Sequence, residues 1–251
     1  MGFGPGGPGG PGGPMGFETH QTVTGAPFSG QEVTTVQQAL ANGNVIQRQT
    51  TINIYRDSQG RVRTEETVAR MAPGATTGTS RTMIRITDPV AGTISEVDTD
   101  HKVVHQTKMR QPPANQTANA GRNPNGRPRN MARPGATQDP NVKTEDLGSQ
   151  SMSGVIASGT RITRTIPSGS IGNALPIQTV HERWMSADLK VPIMEKTTDP
   201  RFGTTVRQLT NVNRSEPDAS LFQPPAGYTV QTGGRGRGFG RPAPGSGGQI
   251  H

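Results

Sequence analysis

The chain has 251 residues and a formal net charge of +8, with 29% hydrophobic and 4% aromatic residues against 34 Gly and 22 Pro. That length holds one large domain or two small ones, and part of a chain this poor in apolar side chains cannot bury enough surface to offset the entropy of ordering. The count of Cys 0 excludes a disulfide framework, cysteine-ligated zinc and thiol catalysis.

In chain order, Met1 leads straight into glycine and proline, with neither the basic nor the apolar stretch of a secretory leader. Residues 4–14 repeat Gly-Pro-Gly at the collagen period. So short a stretch cannot form a stable triple helix, so residues 1–21 read as a disordered Gly/Pro-rich spacer. Residues 31–110 read as an antiparallel meander. Asn42-Gly43 is a hairpin signal because such turns need positive φ. Asp57-Ser58-Gln59-Gly60 and Asp88-Pro89-Val90-Ala91-Gly92 are further hairpin loops. Between them Ile46, Ile52 and Ile54 share one parity with Arg48 and Thr50. Val62 and Val68 share a face of the next strand, and Ile84 and Ile86 a face of the one after. Thr34–Ala41 is the best helix candidate, yet its Thr and Val content fits a strand. Residues 70–80 form a loop.

Residues 111–143 are rich in Asn, Pro, Gly and Arg and show no periodicity. They read as a disordered insertion between two halves of one sheet. The second half resumes near Leu147, with strands expected near 152–158, 160–166, 177–186, 191–198 and 204–214. Residues 230–251 read as a Gly/Arg-rich disordered tail. The expected fold is mainly β: one curved antiparallel sheet or half-barrel of about ten strands with few helices, over residues 22–229. No apolar run approaches the length of a membrane span.

The positive charge is uneven. Arg122, Arg127, Arg129, Arg133 and Lys143 stand in the insertion against Asp139, and Arg235, Arg237 and Arg241 in the tail against no acid. The folded part is therefore close to neutral, and the basic balance belongs to the low-complexity segments.

The segment Val180–Tyr228 has a definite order. A strand with Trp184 leads to a second strand and the turn Asp199-Pro200-Arg201-Phe202-Gly203. A third strand then leads to Pro217-Asp218-Ala219-Ser220-Leu221-Phe222 and Pro224-Pro225-Ala226-Gly227-Tyr228. It resembles the C-terminal half of a group of uncharacterised secreted proteins of Acidobacteria-type bacteria. Earlier phrases stand in the order of that group too. They include Val23-Thr24-Gly25-Ala26-Pro27-Phe28-Ser29, Tyr55-Arg56-Asp57-Ser58-Gln59-Gly60-Arg61 and Ile166-Pro167-Ser168-Gly169-Ser170-Ile171-Gly172-Asn173. The resemblance covers residues 22–110 and 144–229. More distantly the chain is similar to the outer-membrane lipoprotein-sorting (LolA/LolB-like) superfamily, through architecture and the Leu-Phe…Pro…Tyr ending. The resemblance implies a periplasmic or extracellular protein, so Met1 is expected to be a trimmed or late-assigned start. It also implies a half-barrel whose concave side is plugged by helices, and this chain departs from that by lacking helical periodicity.

No chemistry follows from the residue types. His101 and His105 with Asp98 and Asp100 could be read as metal ligands, but i and i+4 on a strand lie about 13 Å apart, so a solvated hairpin is the simpler reading. No Gly-x-Ser-x-Gly elbow, P-loop or dinucleotide fingerprint is present. Asp57, Asp88 and Asp199 sit in turns, where Asp caps through its own side chain. Arg201 is expected to bond within its turn, and Phe222 and Tyr228 to pin the C-terminal end to the sheet. Trp184 is read as core or as the lining of a pocket. A non-catalytic protein without cofactor or metal is expected.

Three binding readings stay open. In the first, Ile52, Ile54, Val62, Ile84, Ile86, Ile162 and Trp184 line a concave face that takes a lipid or lipoprotein. In the second, the sheet is a scaffold and the basic tails meet an anionic polymer of the cell envelope through Arg235, Arg237 and Arg241. Nucleic-acid binding through the basic residues of 111–143 and 230–251 is the third.

Overall fold

The computed structural model describes residues 22–70, 79–109 and 139–233. Twelve strands form a single curved, open sheet. The first half is β1 (Phe28–Ala39), β2 (Val45–Arg56), β3 (Val62–Arg70), β4 (Thr79–Asp88), β5 (Thr93–Asp98) and β6 (Val103–Lys108). The second is β7 (Val142–Met152), β8 (Val155–Ile166), β9 (Ile177–Ser186), β10 (Val191–Asp199) and β11 (Gly203–Asn213), followed by a 3-10 turn at Ala219–Phe222 and β12 (Thr229–Thr232). The order across the sheet is β12-β6-β5-β4-β3-β2-β1-β11-β10-β9-β8-β7. The two halves therefore meet at β1 and β11, and β6 and β7, neighbours in the described sequence, stand towards opposite edges.

The turns follow local chemistry. Asp57 accepts from the Arg61 amide, Asp88 from Val90 and Ala91, and Asp199 from Arg201. At Asn42-Gly43 only Gly43 has positive φ (82°). The connection is a longer loop closed by Leu40 and Asn44, in which one left-handed glycine is enough. The strand expectations shift in three places. Residues 152–158 and 160–166 are not two strands but lie largely in one, β8, since Gly159 pairs in register with its neighbours. β7 begins at Val142, earlier than Leu147. β12 was not foreseen: it is short, fully exposed and added to β6 in parallel.

Register assigns the faces. We call the face of Ile52 and Ile54 the front. There Ile52 lies opposite Glu32, which lies opposite Leu209, and Arg56 lies between Phe28 and Val62. On the back face Tyr55 lies opposite Arg63, Arg63 opposite Ile86, and Ile84 opposite Val97. One core cluster joins front-face Phe28, Ile52, Ile54 and Leu209 to Val155, Ala157, Trp184, Leu189, Val191 and Ile193. The second lies on the back, where Ile86, Val97 and Val104 are covered by Phe222, with Leu221 and Tyr228 against it. Each fully buried Ile, Leu or Phe contributes about 1.5–3 kcal/mol.

The first cluster needs a folded-over hairpin. Ser153, at the β7–β8 turn, donates to the carbonyl of Leu209 on β11 at 2.6 Å, although three strand steps separate β8 from β11. Bulges at Asp146/Gly148 and Pro192/Met194 supply the bend. Gly159 lets the strands close: a Cβ there would lie 2.8 Å from the Trp184 ring.

Candidate functional site

The end of the β7–β10 sheet away from that cluster carries a polar groove of about 340 Å³. Its lining is Glu145, Arg161, Thr163, Gln178, Val180, Glu182, Lys196 and Thr198. Register builds it: Glu145 lies opposite Arg161, Arg161 opposite Glu182, and Glu182 opposite Lys196. Four adjacent strands thus present alternating acid and base in one row. The neighbouring row is Thr163, Val180 and Thr198. Arg161 reaches Glu182 at 2.7 Å, and Lys143 reaches Glu145 at 2.9 Å. The hydrogen bond and charge of Lys143 hold the Glu145 carboxyl below its usual range. Lys196 is exposed. Such a row offers donors, acceptors and both signs of charge, and no residue in it pairs a nucleophile with a base.

The seven apolar residues expected to line one concavity are distributed over both faces. Ile52 and Ile54 are buried in the first cluster, with Val62 packed against it. Trp184 joins the same cluster from β9, its indole nitrogen buried without a hydrogen bond. Ile86 is buried in the back-face cluster and Ile84 packs against it. Ile162 is exposed and lies opposite His181, remote from both clusters. Arg235, Arg237 and Arg241 lie outside the described residues.

Other expectations have definite places. Arg201 donates to both carboxylate oxygens of Asp199. Phe222 is buried and Tyr228 packs beside it. Asp98 accepts from the His101 ring at 3.0 Å and pairs with Arg81 at 3.0 Å. Among the described residues no His, Asp or Glu cluster has the makings of a metal site. The groove charges were missed because alternation within a strand says nothing about which faces of separate strands coincide. Glu145, Arg161, Glu182 and Lys196 become one row only when the register is known.

No family model matches the chain, and no curated protein matches it. Among solved structures it is similar to a chain of the Pseudomonas aeruginosa MucA/MucB complex, at 17% identity and TM-score 0.40. That match covers 83% of this chain and 59% of the other, so the chain spans about three fifths of that relative's length. It is also similar to an uncharacterized conserved protein from Thermus thermophilus, at 9% identity and TM-score 0.39 over 82% and 90% of the two chains. A putative outer membrane lipoprotein-sorting protein domain from Vibrio parahaemolyticus matches at 7% identity and TM-score 0.24 over 78% and 89%. At these values none of them assigns a function, which rests on the chain's own residues.

Proposed function

We propose that the chain is a non-catalytic binding protein of the bacterial cell envelope, periplasmic or extracellular, whose open sheet receives a polypeptide segment. The envelope location rests on the sequence resemblance described above. The observation that carries the binding reading is the row Glu145–Arg161–Glu182–Lys196, set in a groove floored by threonines and Val180. A polypeptide offers both charge signs and hydrogen-bonding groups at strand spacing, and this row answers both. An acyl chain needs a largely apolar pocket. A lipid or lipoprotein is the second reading, and the exposed Ile162 and Met83 on the front face favour it.

A photocrosslinking amino acid at Val180, in the full chain in its native host, tests both readings. A discrete polypeptide adduct that Glu182→Lys abolishes is the expected result. A lipid-mass adduct with the crosslinker at Ile162, and none at Val180, would favour the second reading. Absence of adducts at both positions would sink both.

A further inference from the structure

One end of the sheet exposes apolar residues on three adjacent hairpins. Strands β2-β1-β11-β10-β9-β8 are consecutive across the sheet. Their connections at this end are the β1–β2 loop, the β10–β11 turn and the β8–β9 loop. The first is followed by Val45 and Ile46, the second carries Phe202, and the third carries Ile171 and Leu175. All five are exposed, Leu175 to 76%, Ile171 to 57% and Phe202 to 51%. Single exposed apolar residues are ordinary, whereas a run of them along one rim marks an interaction surface.

The tips are built rather than loose. Asn173 donates through Nδ2 to the carbonyls of Pro167 and Leu175, and its Oδ1 accepts from the Ile171 amide. That one side chain fixes the β8–β9 loop with Ile171 and Leu175 turned outward. Asp199 grips Arg201 and holds it 5.0 Å over the Phe202 ring. Gly203, at φ 95°, packs against the backbone of Gln37 and Gln38 and seats this turn on β1.

The tips themselves lean basic. Over residues 37–48, 164–177 and 199–205 the bases are Arg48, Arg164 and Arg201 against one acid, Asp199, which Arg201 already engages, and the exposed Asp139 stands to the side, before β7, where Asn141 meets Thr165. Apolar tips on separate hairpins, with arginines set behind them, do not form a groove for a helix or strand. They fit a flat, deformable, negatively charged surface. We infer that this rim docks on an anionic lipid bilayer, with Phe202, Leu175 and Ile171 entering the acyl boundary and Arg48 and Arg164 meeting phosphates. The groove does not enter this inference, and its occupant does not affect the test.

The test uses the full chain with Phe202→Trp. Basic segments elsewhere can draw the chain to phosphates without insertion, so the readout is depth. Trp184, the sole native Trp, is only 7% exposed and provides the reference. With vesicles of equal phosphatidylglycerol and phosphatidylcholine, the new indole is quenched by acyl-brominated lipid and Trp184 in the parent chain is not. Adding Ile171→Ser and Leu175→Ser lowers vesicle affinity about tenfold or more, with an unchanged circular dichroism spectrum. Three results would each overturn the inference: equal quenching of the two chains, binding without quenching, or sedimentation indifferent to the serine substitutions.

Discussion

Asp98 is a carboxylate only 5% exposed at the end of β5. Burial pushes its pKa up. The side-chain and backbone hydrogen bonds from His101 and the Arg81 charge together outweigh that, so the carboxyl sits below its ordinary value. A depressed folded pKa means stabilisation that is fully present above the ordinary Asp value of about 3.9 and lost as pH falls through the folded value. Asp98→Asn removes this dependence. Urea midpoints measured from neutral pH down to about pH 3 should fall less steeply in the variant than in the parent. Parallel slopes would show that other carboxylates govern the acid limb. Arg56 is the opposite kind of buried charge. Burial pushes its pKa down to about 10, and it is kept in place by donating to the carbonyls of Ala26 and Leu189 while stacking 4.7 Å over Phe28. It ties the segment before β1 to the β9–β10 hairpin.

The segment after β11 is held by few residues, and Phe222 is the chief of them. It is buried against Ile86, Val97 and Val104, with Arg61 5.0 Å over its ring. Arg63 donates to the Leu221 carbonyl, and Ser58 to Glu216. Phe222→Ala should cost about 3–5 kcal/mol and should release β12 from β6. Hydrogen exchange of the Thr229 amide, which donates to Lys102, would accelerate beyond what the global loss explains. Equal acceleration everywhere would mean that β12 is held by the sheet edge alone. The sequence made the ending legible because Leu221-Phe222 and Tyr228 are apolar and spaced between prolines. It could not reveal β12, because Thr229–Thr232 is exposed throughout and joins β6 through backbone groups common to any residue. Within strands the reading was good: Ile52 and Ile54 do share a face, and the Asp turns close as their side chains dictate. Between strands it had no purchase. Ile54 lies opposite Thr64 while Ile86 lies opposite Arg63, and that one-residue relation divides the expected apolar set between the two faces.

At the scale of the molecule, the seam between β1 and β11 decides whether the sheet behaves as one body. Partners there are far apart in the chain: Thr210 donates to the Gln31 carbonyl and Asn211 to the Gln31 side chain, across sequence separations of 179 and 180 residues. The first core cluster draws Phe28, Ile52 and Ile54 from the first half and Val155, Trp184 and Leu209 from the second. The back-face cluster closes only when Phe222, from beyond β11, reaches β4–β6. Each cluster therefore draws on both halves, and the two should unfold together. Leu209 is fully buried opposite Glu32, with its side chain against Gly30. Leu209→Ala should cost about 2–5 kcal/mol. Its effect should fall equally on Trp184 fluorescence, which reports the second half, and on amide protection in β3–β5, which reports the first. If β3–β5 kept their protection at denaturant concentrations where Trp184 is already exposed, the halves would be separate folding units. The same long loops predict slow folding, in the millisecond-to-second range of non-local β proteins or beyond, because entropy is lost in bringing β1 to β11 before any contact across the seam offsets it.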